Sequence, residues 1–156
     1  MRCGAGSQQD ASAASDDFII VARTDARSSL GLDEAITRGQ AYAAAGADVV
    51  FIESPESEDE FARVADEIDA PVLANMVEGG FSPMLSGDRL AELGFTVGLF
   101  PVSGLFAATA ALRSLYGHLH TAGASPGVGE HLLPIAEMHT LMGLDEVQSF
   151  DARWAE

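Results

Sequence analysis

Short apolar runs alternate along most of the chain with longer segments that mix apolar and polar residues. The runs cover residues 18–22, 48–52, 71–75 and 95–100 and are rich in β-branched side chains. Continuous apolar runs of this length predict strands buried on both faces. Each is separated from the next by room for one helix, which is typical of parallel strands joined by right-handed crossovers.

The intervening segments carry helix start and stop signals. Asp33, Ser57 and Ser86 are of the types that cap helix N-termini, and Gly46 and Gly143 are placed to end helices. The predicted helices are 34–45, the segment after Ser57, 87–93, 105–120 and 130–142, with one or two further turns within 145–154. We therefore expect a flexible leader at 1–17, a βα-repeat domain at 18–122 and a C-terminal helical segment at 123–156.

Polar residues are concentrated where the apolar runs end. Arg23 and Asp25 follow the first run, Glu53 follows the second, Asn75 ends the third and Ser103 follows the fourth. In a β/α barrel the active site lies at the carboxyl ends of the strands. No Gly-x-Gly-x-x-Gly motif follows any of these runs, which argues against a dinucleotide-binding fold.

These residue types suit the binding of a small anionic substrate. The planar fork of Arg23 matches a carboxylate or phosphonate. Asn75 is suited to donate to a developing enolate oxygen. Asp25 is suited to orient Arg23 or help hold a hydrated metal, and Glu53 to accept from a substrate hydroxyl or orient an arginine. The alternative is structural: a salt bridge at the rim, with Asn75 satisfying loop backbone.

The charge balance is strongly acidic. The chain has 24 acidic and eight basic residues, all of them arginine, for a formal net charge of −16. Such a surface repels nucleic acid and anionic membranes. No apolar run reaches the about 20 residues of a membrane span, and residues 1–17 lack a secretory signal pattern. We expect a cytoplasmic protein of a salt-loving cell; a GC-rich genome is the alternative reason for arginine without lysine.

Four segments resemble consecutive strand motifs of one enzyme superfamily. They are IIVARTDA at 19–26, AGADVVFIE at 45–53, PVLANMVEGG at 71–80 and LFPVSGLFAA at 99–108. In order and spacing they resemble the fifth to eighth strands of the isocitrate lyase / phosphoenolpyruvate mutase superfamily. The resemblance implies an α/β fold: the C-terminal half of a TIM-type β/α barrel with extra C-terminal helices.

The resemblance also implies an activity. Members of the superfamily use Mg²⁺ to cleave or form C–C or C–P bonds in small 2-oxo or 2-hydroxy acids through an enolate. It implies that Arg23 binds a substrate carboxylate and that Glu53 and Asn75 line the same pocket. Met76 and Val77 would lie in a loop that closes over the substrate, and Ser103 would support the site.

The chain also departs from the superfamily pattern. The motifs of the first four strands, which include the paired aspartates of the Mg²⁺ site, do not occur, so we expect no complete metal site here. The histidines, His118, His120, His131 and His139, are read as ordinary surface or helix-end residues. Phe106 stands where methylisocitrate lyases carry an arginine, which favours phosphonomutases, oxaloacetate decarboxylases and small dicarboxylate lyases.

One further match lies near the start of the chain. Arg2, Cys3 and Gly4 agree with three positions of the superfamily's Lys-Arg-Cys-Gly-His loop motif, in which the cysteine donates a proton. The match makes Cys3 the candidate acid/base thiol; a chance match is the alternative. With this single cysteine the chain has no internal disulfide, as is usual in a reducing compartment.

Three hypotheses follow. The first is a lyase or mutase that works once the other half of the barrel is supplied, by a complementing N-terminal half or by self-association into a homo-oligomer. The second is a catalytically inactive half-barrel that serves as a binding or structural piece. The third is an unrelated flavodoxin-like α/β sandwich. Apolar residues of the C-terminal segment, among them Leu132, Leu133, Ile135 and Met138, are expected to mediate subunit contacts or to cover the base of the barrel.

Overall fold

A computed structural model describes residues 18–128 and 132–154, without the side chains of residues 151 and 152. The chain divides into two compact units, Met1–Leu105 and Phe106–Glu156. Cys3 and His131 lie outside the described residues. The predicted division at residues 17 and 122 stays a prediction.

The first unit contains a parallel four-stranded sheet. Its strands are β1 (Val21–Thr24), β2 (Val49–Ile52), β3 (Val72–Asn75) and β4 (Val97–Leu99), and they lie side by side in chain order. All three pairings are parallel. The predicted βα repeat is thus confirmed, but the strands are shorter than the apolar runs, and residues 18–20 precede β1 instead of belonging to it.

Helices follow the strands. They are α1 (Ala26–Leu30), α2 (Leu32–Ala44), α3 (Glu58–Glu67), α4 (Gly87–Glu92), α5 (Ser103–Ala122), α6 (Ile135–Leu141) and α7 (Leu144–Trp154). The predicted caps Ser57 and Ser86 are confirmed, since their hydroxyls accept from the backbone N–H of Glu60 and Arg89 at 3.2 and 3.1 Å. The cap predicted at Asp33 is wrong, because α2 begins at Leu32 with Gly31 as its cap residue.

The core lies between one face of the sheet and helices α1 to α4. Alternate strand residues point into it: Ala22 and Thr24 from β1, Val50 and Ile52 from β2, and Val72 and Ala74 from β3. Phe61 of α3 meets Phe95, just before β4, in an edge-to-face contact with ring centroids 5.4 Å apart. Because all three pairings are parallel, the carboxyl ends of the four strands lie at one edge of the sheet.

The opposite face of the sheet is only partly covered within the described residues. Val21 is 49% exposed and Leu99 is 42% exposed, while Phe51 of β2 is buried. The expectation of strands buried on both faces is therefore wrong for β1 and β4. Within the first unit, the described helices α1 to α4 pack on one face, and Val21 and Leu99 remain exposed on the other.

The second unit contains the rest of α5 together with α6 and α7. The helix predicted at 130–142 is found at Ile135–Leu141, and Gly143, with φ of 72°, separates it from α7. The final segment forms an eleven-residue helix, longer than the one or two turns predicted. None of the described helices is both long and apolar enough to cross a membrane.

Candidate active site

Three consecutive strands bring Arg23, Glu53 and Asn75 to the same edge of the sheet. Arg23 of β1 is in register with Phe51 of β2, and Glu53 follows two residues later on the same face. Asn75 is the last residue of β3. The Arg23 Nη2 to Glu53 Oε2 distance is 3.3 Å and the Asn75 Nδ2 to Glu53 Oε2 distance is 3.4 Å. The three side chains thus form one cluster at the carboxyl ends of the strands.

Arg23 is held from three sides. Its Nε donates to Asp25 Oδ1 at 2.8 Å, its Nη2 lies beside Glu53, and its guanidinium carbon sits 5.0 Å from the ring centroid of Phe51. A guanidinium that stacks on an aromatic ring and pairs at its edges has a fixed plane. Its side chain remains 50% exposed, and Nη1 meets no acceptor among the described residues. Part of the fork therefore faces the solvent at this edge.

Glu53 is engaged through both carboxylate oxygens. Oε2 faces Arg23 and Asn75, and Oε1 accepts from the hydroxyl of Ser54 at 3.1 Å. Of the two roles expected for Glu53, orienting an arginine fits this geometry, because no carboxylate oxygen is left without a donor.

Asn75 has one satisfied and one unsatisfied end. Its Nδ2 points at Glu53, whereas its Oδ1 is buried and has no hydrogen-bond partner among the described residues. Buried polar atoms are nearly always paired, so an unpaired acceptor is a place where a donor is missing. One N–H of the Asn75 amide thus donates to Glu53, and the unpaired atom at the other end of the amide is an acceptor.

A cleft of about 440 Å³ opens over this cluster. Its walls combine the strand-end residues with the loop after β3: Arg23, Asp25, Ser28, Glu53, Ser54, Asn75, Val77, Gly80, Phe81 and Ser82. Ser28, Ser54 and the residues 80–82 were not singled out from the sequence. Two pairs in the sequence could have indicated them, because Gly-Gly before Phe81 and Ser-Pro after Glu53 both mark turns that follow strands.

Two of the expected site residues lie elsewhere. Met76 is fully buried in the core, where its sulfur accepts from the backbone N–H of Leu85 at 3.4 Å. Met76 thus contacts the loop from the core side, and of Met76 and Val77 only Val77 lines the cleft. Ser103, at the start of α5, donates to Glu78 of the same loop and is not part of the cleft wall.

The loop after β2 is anchored behind the cleft. Arg27 of α1 donates to both carboxylate oxygens of Glu60 at 2.9 and 2.6 Å, and Glu60 also accepts from the backbone N–H of Glu56 at 2.8 Å. The hydrogen bond from Arg27 lowers the pKa of Glu60 below its ordinary value, against the opposing effect of burial. Glu60 is therefore a charged anchor that fixes the loop leaving the site.

The described residues do not by themselves fit a Mg²⁺ ion. They contain no group of three or more His, Cys, Asp or Glu residues placed to hold a metal. The two carboxylates of the cleft, Asp25 and Glu53, both face the guanidinium of Arg23, whereas a hard cation requires clustered oxygen ligands.

Comparison with curated proteins found enzymes of one superfamily. The chain is 42% identical over 139 residues to 2,3-dimethylmalate lyase of Eubacterium barkeri, covering 89% of this chain and 48% of that protein. It is 45% identical over 100 residues to 2-methylisocitrate lyase of Bacillus subtilis, covering 64% of this chain and 33% of that protein. The chain thus spans half or less of the length of these relatives.

Comparison with solved structures finds members of the same superfamily. Oxaloacetate acetylhydrolase in complex with the product oxalate matches with a TM-score of 0.85 and 30% identity, over 96% of this chain and 53% of that one. Such neighbours are β/α barrels, and this chain corresponds to about half of one. The fold class expected from the sequence is therefore confirmed.

The family assignment rests on the sequence profile that matches. The profile of the phosphoenolpyruvate phosphomutase family covers residues 2–120. It includes all four strands and every residue of the Arg23, Glu53 and Asn75 cluster. The chain therefore belongs to the phosphoenolpyruvate phosphomutase family, within the phosphoenolpyruvate mutase / isocitrate lyase superfamily.

Proposed function

We propose that this chain supplies the substrate-binding half of a lyase or mutase that acts on small 2-oxo or 2-hydroxy acids through an enolate. The observation that carries the proposal is the fork of Arg23, fixed by Asp25, Glu53 and Phe51 and half exposed above the cleft. An arginine fixed in this way binds a carboxylate or phosphonate bidentately at little entropic cost.

The other cleft residues have complementary roles in this proposal. Glu53 keeps Arg23 and Asn75 in place, and Asn75 lies in the cleft wall near the leaving fragment. In a 2-hydroxy acid the hydroxyl proton goes to a base that lies outside the described residues, and the C2–C3 bond breaks. C2 becomes a ketone, and the electron pair of the broken bond forms the enolate of the departing fragment.

The proton donor and the metal ligands of the proposed reaction lie outside the described residues. Cys3 is the proposed acid that protonates the departing carbanion. Mg²⁺, expected from the superfamily, would need carboxylate ligands that the described part of the chain does not provide.

The proposed substrates are small dicarboxylates or phosphonates. The 440 Å³ cleft presents a single arginine, Arg23, to a ligand, and Phe106 replaces the arginine that would grip a further carboxylate in methylisocitrate lyases. Oxaloacetate, a 2-hydroxy dicarboxylate such as 2,3-dimethylmalate, and phosphonopyruvate are the compounds to test.

The experiment uses the purified chain with Mg²⁺ and each of these three compounds. Formation of products from each compound is followed by NMR. In a separate sample, exchange of the methyl protons of added pyruvate for deuterium reports formation of the pyruvate enolate. The proposal expects turnover or exchange above the rate in Mg²⁺ buffer alone. The absence of both in every oligomeric state would overturn it.

One observation favours a second candidate, a half-barrel that binds without catalysing. The described residues include an arginine held by an ion pair and half exposed, but no group of metal ligands. Binding of oxalate without turnover or exchange in any assembly would favour this function.

We also propose that the working form is an assembly, either a homo-oligomer or a complex with a complementing N-terminal half. Val21, Val97 and Leu99 leave apolar surface on the uncovered face of the sheet, and burying such surface favours association. Light scattering after size exclusion, at low and high salt, measures the mass directly. A monomer under both conditions, with catalysis intact, would contradict this part of the proposal.

A further inference from the structure

Ser54 has a backbone conformation that its sequence does not favour. Its φ of 58° is the only positive value among the described non-glycine residues. The left-handed region is disfavoured for residues with a Cβ, and a residue before proline, here Pro55, is pushed toward extended conformations. Such a conformation persists only where the surrounding structure over-determines it, and it is often found at functional sites.

The chain on both sides of Ser54 is held in place. Before it, the backbone N–H of Glu53 donates to the carbonyl oxygen of Thr24 at 3.0 Å. After it, Pro55 is buried, and the backbone N–H of Glu56 donates to Glu60, which Arg27 holds through two hydrogen bonds. These contacts fix the turn at Ser54 from outside the cleft.

The turn places the hydroxyl of Ser54 beside Glu53 in the cleft wall. Its Oγ donates to Glu53 Oε1 at 3.1 Å, which leaves Oε2 facing Arg23 Nη2 and Asn75 Nδ2. Without this donor, Oε1 of Glu53 loses its partner, and the carboxylate keeps only the contacts of Oε2 to Arg23 and Asn75, at 3.3 and 3.4 Å. Three contacts define the plane of the carboxylate more closely than two contacts to one oxygen.

We propose that Ser54 is a positioning residue that fixes Glu53 and, through it, the orientation of Arg23 and Asn75. This inference rests on the proposed function for the role of the cluster in binding substrate. The strained turn is then the means by which a side chain that directly follows Glu53 reaches back to its carboxylate. An extended residue 54 would direct its side chain away from that of Glu53, since successive side chains of a strand point to opposite faces.

The test separates the hydroxyl from the backbone. Ser54→Ala removes the hydroxyl and keeps the backbone cost, whereas Ser54→Gly removes both. The matched control is Ser29→Ala, at an exposed serine of α1 whose side chain makes no hydrogen bond to the described residues. Calorimetry measures the affinity of the full chain for oxalate with Mg²⁺. The Nε–Hε signal of Arg23, one of only eight arginines, is observed by NMR and assigned by its loss in Arg23→Lys.

A positioning role predicts the same functional defect in both Ser54 variants. Oxalate affinity should fall about tenfold in each, which is the size expected for a lost hydrogen bond to a charged group. The Arg23 signal should shift or broaden in each, although Ser54→Gly should unfold at a higher temperature than Ser54→Ala. Ser29→Ala should match the wild type in affinity and spectrum.

Two results would overturn the inference. One is a Ser54→Gly variant with wild-type affinity and an unchanged Arg23 signal, because only the turn would then matter. The other is an unchanged Arg23 signal in both variants. If the wild-type chain does not bind oxalate, the proposed function fails, but the Arg23 signal still decides whether Ser54 positions the cluster. If Ser54→Ala does not fold, Ser54→Gly decides alone.

Discussion

At the scale of single residues, the cleft depends on how a few polar side chains satisfy one another. Arg23 shares its donors between Asp25 and Glu53 and rests on Phe51. The sequence predicted that Arg23, Glu53 and Asn75 follow parallel strands, and hence that they lie near one another. It did not predict that Asn75 uses its amide nitrogen on Glu53, because hydrogen-bond partners depend on distances of a few tenths of an ångström.

Replacing Arg23 by lysine should weaken anion binding without unfolding the protein. Lysine keeps the charge but loses the planar fork, so we expect oxalate affinity to fall about tenfold or more, the equivalent of one or more charge-assisted hydrogen bonds. Arg38→Lys, at a surface pair with Glu34 on α2, is the matched control and should bind like the wild type. Calorimetric titration of both variants checks this, and equal affinities would contradict a binding role for Arg23.

At the scale of elements, the helices are fixed to the sheet by close packing and by ion pairs between helices. Gly39 lets α2 approach the strands, because a Cβ there would lie 2.7 Å from Ile68 Cδ1 and 3.1 Å from Ile52 Cδ1. Arg63 and Arg89 link α3 to α2 and α4 through Asp33 and Glu58. The helix signals in the sequence located these elements but not the contacts between them.

Gly39→Ala should destabilise the protein although alanine is the better helix former. The helix gains about 1 kcal/mol from the substitution, but overpacking a filled core costs about 1–3 kcal/mol. We expect a net loss of about 1 kcal/mol from these opposing effects, measured by urea unfolding. Gly117→Ala in α5, where a Cβ meets nothing within 4 Å, is the control and should stabilise the helix by about 0.5–1 kcal/mol. A stabilised Gly39→Ala would show that α2 is able to move away.

The Arg27–Glu60 anchor should make stability depend on acid. The pKa of Glu60 is lower in the folded protein than its ordinary value, chiefly because Arg27 donates to it. The stabilisation is therefore complete above the ordinary glutamate pKa of about 4.3 and is lost as the pH falls through the lower folded-state value. Glu60→Gln should lower the free energy of unfolding near neutral pH and differ less from the wild type as the pH decreases.

Urea unfolding at several pH values below neutral measures this difference. Glu137→Gln, at an exposed position of α6 with no ion pair in the described part of the chain, is the control and should parallel the wild type. A Glu60→Gln variant whose deficit stays constant into strong acid would show that the anchor is not ionic.

At the scale of the whole molecule, the strong acidity sets the response to salt. The formal net charge is −16, and most of the acidic side chains repel one another across the surface. Increasing the salt from about 0.1 M to about 1 M shortens the Debye length from about 10 Å to about 3 Å. Exposed ion pairs such as Arg63–Glu67 lose strength as well, but surface pairs contribute little.

The temperature of unfolding should therefore rise between these two salt concentrations. Circular dichroism melts of the full chain in sodium chloride measure the change, and we expect an increase of several degrees. A lower unfolding temperature at high salt would mean that the ion pairs outweigh the general repulsion, and it would remove the support for a salt-loving source.

The sequence by itself determined the features that depend on local pattern. Apolar runs placed the four strands, cap residues placed the starts of α3 and α4, and the order of the strand ends placed Arg23, Glu53 and Asn75 at one edge. Only the tertiary structure decided that Met76 is buried, that Val21 and Leu99 are exposed on one sheet face, and that Ser54 turns back to Glu53. The physical reason is that the order of apolar and polar residues along the chain reflects the repeat of each strand or helix. Burial and hydrogen-bond partners depend on residues distant in sequence.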